Sequence, residues 1–381
     1  LFGYNMYVSA SRVEDFYNCS FRYFCKFGLN ARPRTKAEID PMQRGTLIHY
    51  VLEMILSTVG SKSLSAMTDA QLKALVDKFT AMYFEQEMGS AADLSIRFKY
   101  NYRRLSKLIY SVVYHLAEEF AHSDFEANAF ELDIDRDGQV KPEQLMLDDG
   151  GTIQIRGSID RVDTYEHNGE RYVRVVDYKS GNKTFNYSDI MHGLNLQMFI
   201  YLFSLCADKN AELTGIPAGV LYMHAARNIF NFDSRLAAEG AVKSEENASF
   251  KMKGIVLDTE DGEIARAMDH ELMGKYIPVK AKKDGVLTGK LARLEQLGYI
   301  HKKVNEHVAQ MGMELHLGRV NQNPVKDKQH KNTCEYCDYK DVCANKKTIE
   351  NRTLDDISDN EVLEILAKEY GENATVDSRA E

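Results

Sequence analysis

Gly157-Ser-Ile-Asp160-Arg-Val-Asp163 and, after a turn, Tyr172-Val-Arg-Val-Val-Asp177-Tyr178-Lys179 are the two stretches whose pairing decides the fold. Both are rich in β-branched residues with alternating polarity, the pattern of half-buried strands. Between them lies His167-Asn-Gly169, whose Asn-Gly dipeptide suits a two-residue hairpin turn. Side chains at i and i+2 of a strand share a face, so Asp177 and Lys179 point the same way. The hairpin folds Asp160 back beside Asp177, which brings two carboxylates and an ammonium together. Hard oxygen ligands of this kind suit Mg²⁺ or Mn²⁺. The lysine would orient or help deprotonate an attacking water and stabilise charge developing on a phosphate. Asp163 should point away from Asp160 and pair with a base such as Arg161. An Asp-x-Lys tripeptide by itself is common and is more often a salt-bridged strand pair.

Outward from the hairpin, Phe130–Ile134, Thr152–Arg156 and Ala218–Met223 also read as strands. Helices are expected from Ser9 or Ser11 toward Phe27, from Pro41 to Ile55, over 69–88 and 94–121, from about Ser188 to Cys206, and over 258–273 and 289–313. Helices, a meander, then another helix and strand predict an α/β fold: a mixed sheet flanked by helices, with a helical insert at about 66–122. No Pro/Gly/Ser-rich linker interrupts residues 1–349, which read as one domain. Residues 350–381 read as an acidic C-terminal tail without site residues, expected to be dispensable.

The chain has 381 residues, 44% hydrophobic and 28% charged, an ordinary globular composition. No run approaches a membrane span and no secretory leader opens it, so a cytoplasmic protein without membrane partners is expected. Because it starts at Leu1, it reads as a piece of a longer chain. Its net charge of −9 looks wrong for a nucleic-acid binder, but ten acids against three bases place −7 of it in residues 350–381. Elsewhere lie basic stretches at Lys99–Lys107, Lys280–Lys290 and Lys326–Lys347. The first includes a strip of Tyr100, Tyr102, Arg103 and Arg104. Phosphate binding follows local potential rather than total charge. Gly285-Val-Leu-Thr-Gly289-Lys290-Leu291 has the wrong glycine spacing for a P-loop, and Leu follows its Lys, so no motor is expected here.

Three further features join the Asp/Lys hairpin: Ser180-Gly181 directly after it, Gln197-Met-Phe-Ile-Tyr201 on the next helix, and Gly45-Thr-Leu-Ile-His49 upstream. Gln197 and Tyr201, four apart, share a helix face. In this combination the chain resembles the RecB-like branch of the PD-(D/E)XK nuclease superfamily. There the pattern is Gly-x-Ile-Asp-Arg-x-Asp, Asp-Tyr-Lys-Ser/Thr-Gly and Gln-x-x-x-Tyr, with Gly-x-x-x-His on an earlier helix. The resemblance implies a restriction-endonuclease-like fold. It implies that His49, Asp160, Asp177 and the backbone carbonyl of Tyr178 bind Mg²⁺ or Mn²⁺. Lys179 would then be the catalytic lysine, with Gln197 and Tyr201 aimed at the site or at a DNA backbone. Glu131 matches an acidic position of the superfamily.

Cys334-x2-Cys337-x5-Cys343 needs a fourth ligand, which a distant cysteine would supply to a [4Fe–4S] cluster. Cys19, in Tyr17-Asn-Cys19-Ser-Phe-Arg-Tyr-Phe24, resembles the Cys-Pro-Phe-x-Tyr-Phe stretch of iron–sulfur nucleases, with Ser20 in place of Pro. Cys25 competes for the role, and zinc with a local His such as His330 is the alternative. The whole order is similar to the nuclease domain of the AddB family of bacterial helicase–nucleases. That likeness implies a DNA exonuclease in double-strand-break processing, acting on the strand with the 5′ end. It also implies an AddA-like partner carrying the ATP-driven motor. The rival readings are a CRISPR-associated adaptation nuclease of the same superfamily, usually a shorter chain, and a non-catalytic DNA-end-binding scaffold.

Overall fold

The computed structural model describes residues 1–32, 41–88, 96–179, 181, 185–225, 250–326, 333–343, 351–355 and 357–371. The first half of the described chain is mainly helical: β1 (Asn5–Ser9), α1 (Ala10–Asn18), α2 (Ser20–Tyr23), a π-helical turn (Phe24–Gly28), α3 (Pro41–Val59), α4 (Ser61–Ser65), α5 (Asp69–Met88) and α6 (Ile96–Ala121). Then come β2 (Glu126–Ile134), β3 (Gln144–Met146), β4 (Thr152–His167), β5 (Glu170–Lys179), α7 (Tyr187–Met191), α8 (Gln197–Ala207), β6 (Ile216–His224), β7 (Lys253–Leu257) and α9 (Glu263–Met268). The chain closes with β8 (Val279–Ala281), β9 (Leu287–Gly289), β10 (Leu291–Ala292), α10 (Leu294–His316), β11 (Val325–Lys326), β12 (Arg352–Thr353) and α11 (Asp359–Gly371).

The expected mixed sheet is present. Its main path runs β1-β4-β5-β6-β7-β10, with β2 and β3 also paired to β4. β4 and β5 are antiparallel, β5 and β6 parallel, and β1 lies parallel to the first half of β4. β4 spans sixteen residues and merges the two strands expected at 152–156 and 157–163. The β4–β5 turn has positive φ at Asn168 (53°) and Gly169 (83°), as a twist-matched two-residue hairpin turn requires.

Several expected helices are interrupted, each for a local reason. The first breaks at extended Cys19 (φ −172°), where the next residue is captured from far away. Ser20 N–H and Oγ donate to Asn323 Oδ1, both at 2.9 Å, and a lone helix would have no such partner. The helix expected at 188–206 is α7 plus α8, parted by Gly193 (φ 78°) and Asn195 (φ 56°). The Tyr17 ring packs against Gly193 so closely that a Cβ there would lie 2.3 Å from it. Over 258–273 only α9 is helical, and the expected helix at 289–313 starts at Leu294 after two short strands and runs to His316.

Residues 351–371 do not behave as a detached tail. β12 pairs with β11, and α11 buries Val362, Leu363 and Leu366 against α7 and α10. Lys290–Asp359 (2.6 Å) and Lys303–Glu369 (3.0 Å) flank that contact. Removing this segment would strip apolar cover from α10, so its dispensability no longer follows. Among the described residues no helix is long and apolar enough to cross a membrane.

Two buried imidazoles contribute to the acid response of the fold. His115 on α6 lies between the rings of Phe250 and Tyr276, and His307 on α10 donates from Nε2 to the Ile190 carbonyl at 2.9 Å. Burial lowers both to about 4. The unfolded chain, titrating near 6.5, takes these protons first. Their contribution to stability is therefore complete above about pH 6.5 and is lost as pH falls toward 4. The loss is up to about 1.4 kcal/mol per pH unit for each histidine. Between about pH 7 and pH 5 the urea midpoint of the parent should lose ground relative to those of His115→Gln and His307→Gln; equal slopes in parent and variants would contradict this assignment.

Candidate active site

Three acidic residues line up across neighbouring strands. The β4–β5 register reaches Arg161↔Val176, and one further step sets Asp160 opposite Asp177. The β2–β4 pairs Phe130↔Arg161 and Leu132↔Ile159 bracket Glu131 and Asp160. Directly opposed residues project to the same face, so Glu131, Asp160 and Asp177 form one row. The β4–β5 ladder opens at this row. Tyr178 N–H, freed from a carbonyl partner on β4, donates to Asp160 Oδ2 at 2.8 Å. Glu131 adopts a left-handed φ of 46°, uncommon for a residue with a long side chain, and accepts a hydrogen bond from Ser158 Oγ at 3.0 Å.

As the i, i+2 spacing predicts, Lys179 Nζ contacts Asp177, at 2.9 Å from Oδ1 and 2.8 Å from Oδ2. From α3, His49 donates from Nε2 to the Tyr178 carbonyl at 2.9 Å. Its Nδ1 lies 3.6 Å from both Glu131 Oε1 and Asp160 Oδ2. Among the described residues, His49, Glu131 and Asp160 are the trio whose ligand atoms all lie within 4.8 Å of one another and could hold a metal ion. The structure thus gives Glu131 a closer place beside His49 than residue patterns assigned it.

The electrostatics of this row are those of a site short of positive charge. Burial and the neighbouring Asp177 charge push Asp160 up to about 7, against the opposing pull of His49. Burial would lower His49, but the Glu131 hydrogen bond and the Asp160 charge outweigh it and raise it to about 9. The His49 hydrogen bond is the main cause holding Glu131 below its ordinary value. Lys179 is raised despite burial, by the charge and hydrogen bond of Asp177. A divalent cation relieves the same carboxylate repulsion without a proton. Two carboxylates, an imidazole and a backbone carbonyl make an O/N donor set of the kind Mg²⁺ and Mn²⁺ accept.

Gln197 and Tyr201 on α8 share a face and touch, Gln197 Nε2 donating to Tyr201 Oη at 3.4 Å. The Tyr201 ring lies against Gly157, where an added Cβ would stand 2.2 Å from the hydroxyl, so that motif glycine is needed for close approach. Burial pushes the Tyr201 phenol up to about 12, and the charges of Asp177, Asp160 and Glu14 add to the effect. It remains a donor at neutral pH. Glu14 went unnoticed in the residue patterns. Half-buried on α1, it adds its charge to burial in raising Tyr222 and to Asp177 in raising Lys179, which puts it near the row. The one signal was an acid beside the inward stripe Val13, Phe16 and Tyr17.

Asp163 turns away from the row, as expected, and pairs with Arg161 (2.8 Å) and Arg174 (2.8 Å) on the opposite face. Glu119 of α6 completes this group at 3.4 Å from Arg161, and all four side chains are 0–1% exposed.

The cysteine-bearing ends of the chain meet. Phe21 N–H donates to the Asn321 carbonyl at 3.0 Å, and Tyr339 Oη to the Ala31 carbonyl at 2.7 Å. Burial raises the Cys334 thiol, and Cys19, Cys337 and Cys343 raise it further. Cys343 is raised by burial, Cys19 and Cys337. Cys25 is fully covered in the π-helical turn and is raised by burial and then by Cys337, Cys343 and Cys19. His330 lies outside the described residues, as does the side chain of Tyr100.

A family model described as the PD-(D/E)XK nuclease superfamily matches residues 7–344. Three curated relatives share one name, that of the B subunit of an ATP-dependent helicase/deoxyribonuclease. The one from Clostridium acetobutylicum is 29% identical over 391 aligned positions, covering 100% of this chain and 33% of that protein. The one from Acetivibrio thermocellus is 31% identical over 390, covering 98% and 33%. The one from Clostridium tetani is 29% identical over 392, with the same coverage of 98% and 33%. The chain spans about a third of the length of these relatives.

Proposed function

We propose, since the chain belongs to the PD-(D/E)XK nuclease superfamily, that it is a deoxyribonuclease domain hydrolysing DNA phosphodiester bonds during end processing, within a larger helicase–nuclease. The observation that carries this reading is the row Glu131–Asp160–Asp177 with Lys179 at one end and His49 over the other. His49, Asp160, Asp177 and the Tyr178 carbonyl would hold Mg²⁺ or Mn²⁺, with Glu131 as an additional or exchanging ligand. When bound, the metal would supply Lewis acidity and a water of lowered pKa. Lys179, paired to Asp177, would hold that water and offset charge growing on the phosphate. Gln197 and Tyr201 would direct an amide and a phenol donor at the scissile phosphate or its neighbour. The names of the relatives support a separate motor-carrying partner. The catalytic set favours this reading over a non-catalytic scaffold, because a scaffold has no need to keep repelling carboxylates together. The inserts α5 and α6 favour it over a short adaptation nuclease. Release of nucleotides from end-labelled DNA should require Mg²⁺ or Mn²⁺; activity in excess EDTA would reject the reading.

The cysteines would hold a [4Fe–4S] cluster through Cys19, Cys334, Cys337 and Cys343. The Cys334 thiol is raised by burial and then by Cys19, Cys337 and Cys343, which supports a shared site for these four residues.

DNA affinity should rest on local basic faces. Arg103, Arg104 and Lys107 are exposed on α6, and Lys280, Lys282 and Lys283 on the β8–β9 hairpin. Fluorescence anisotropy should show affinity falling steeply between about 50 and 200 mM salt. Arg103→Ala with Arg104→Ala should reduce the logarithmic salt slope by about 1 to 2. An unchanged slope would remove α6 from the DNA path.

A further inference from the structure

We propose that the buried quartet Glu119, Arg161, Asp163 and Arg174 is a positioning device for the metal centre, acting through the hydroxyl of Tyr178; the inference rests on the metal-centre reading above. Strand alternation puts Asp160 on one face of β4 and its neighbour Arg161 on the other. On β5 the same alternation separates Asp177 and Lys179 from Tyr178, Val176 and Arg174. Tyr178 therefore belongs to both sides of the sheet. Its hydroxyl accepts from Arg161 Nη1 at 3.2 Å, inside the quartet. Its N–H donates to Asp160 at 2.8 Å, and its carbonyl accepts from His49 at 2.9 Å, inside the site.

Two features say that this side-chain anchor matters. The β4–β5 ladder ends at Arg161↔Val176, so regular pairing continues at Tyr178 only on the β6 side, opposite Met223, and β4 does not hold its backbone in that way. Beyond that point the link to β4 runs through the Asp160 carboxylate and through the Tyr178 hydroxyl. The second feature is cost. Four charged groups are withdrawn from water, where apolar side chains of like volume are often as stable or more so. What the charges add is direction. Arg161 Nη2 reaches Asp163 Oδ2 at 2.8 Å and Glu119 Oε2 at 3.4 Å, while Arg174 Nε also reaches Asp163 Oδ2 at 2.8 Å. Planar guanidinium forks tie β4, β5 and α6 at fixed angles that an apolar contact leaves free to slide. The Phe120 and Phe125 rings, 5.0 and 4.9 Å from the Arg161 and Arg174 guanidinium carbons, close the layer. Tyr178 transmits that rigidity to the carbonyl and carboxylate on the far side.

The test is direct titration of the chain with Mn²⁺ alone, without DNA, followed by electron paramagnetic resonance. Tyr178→Phe keeps the ring and removes the anchor, and should weaken Mn²⁺ binding about tenfold, the effect typical of lost support behind a metal ligand. Glu119→Gln should weaken it in the same direction. Val176→Ala, on the same face but outside the hydrogen-bonded group, should lower the melting temperature and keep the parent affinity. A parent chain that binds no Mn²⁺ overturns the metal-centre reading, and this inference with it. A parent that binds, with Tyr178→Phe binding equally well, overturns the positioning role alone. So does a Val176→Ala variant that loses affinity as Tyr178→Phe does, because the effect would then be general loosening of the core.

Discussion

Asp177→Ala is expected to reduce metal-dependent DNA cleavage by at least ~10³-fold while leaving the chain folded. The side chain is 3% exposed, stands one step along the row from Asp160 and holds Lys179. On the proposed reading its removal would cost the metal a ligand, and it leaves the lysine without its carboxylate. It also relieves the repulsion that, after burial, raises Asp160. The melting temperature in the absence of metal should therefore stay close to the parent value or rise, the usual signature of a residue kept for chemistry rather than stability. Nuclease assays and thermal melts on the same preparation check both halves. Undiminished cleavage would remove Asp177 from the site, and an unfolded variant would make it a structural residue.

The second large effect concerns the proposed [4Fe–4S] cluster, which would staple the two ends of the chain together. Cys334→Ala should lose iron, lower the melting temperature and lose DNA cleavage in consequence. Cys19 and Cys334 are separated by more than three hundred residues that include His49, Glu131, Asp160, Asp177, Lys179, Gln197 and Tyr201. Closing so long a loop restricts the unfolded chain by roughly 5–6 kcal/mol on a simple entropy model. Metal–thiolate bonds available only to the folded state would add to it. Cys19→Ala decides between the staple and a local zinc site. It should lose metal and melt at lower temperature, and a variant with full metal content and the parent melting temperature would rule the staple out. Cys25→Ala separates the two candidates for the distant ligand: it should keep its metal if Cys19 fills that place, and loss of metal would put Cys25 there instead. Anaerobically purified protein should show broad absorption near 400 nm, as iron–sulfur clusters do.

Much of the site was legible because it lies on regular strands. The Asn168-Gly169 turn determines the β4–β5 register, and the period of two then sets Asp160 beside Asp177 and Lys179 on the same side as Asp177. Asp163 turned away for the same reason. Helical spacing paired Gln197 with Tyr201. The failures fall where a distant part of the chain overrides local preference. The first helix stops at Cys19 because Asn321 and Asn323 capture Ser20, and the 188–206 helix is broken where Tyr17 packs against Gly193. Segment 351–371 looked detached because it is acidic. Its Val362, Leu363 and Leu366 at helical spacing were the signal that it packs.

Sequence alone thus determined the hairpin, the face on which each of its residues stands and the kind of donor atoms offered, since turn chemistry and strand alternation are local properties. Only the tertiary structure decided which groups complete them. Glu14 enters through the docking of α1, while Glu131 and the cysteines, already named from the sequence, gain their places through a left-handed backbone in β2, its pairing with β4, and the meeting of both ends of the chain. Each of these depends on contacts between residues far apart in the chain, and no local period records such contacts.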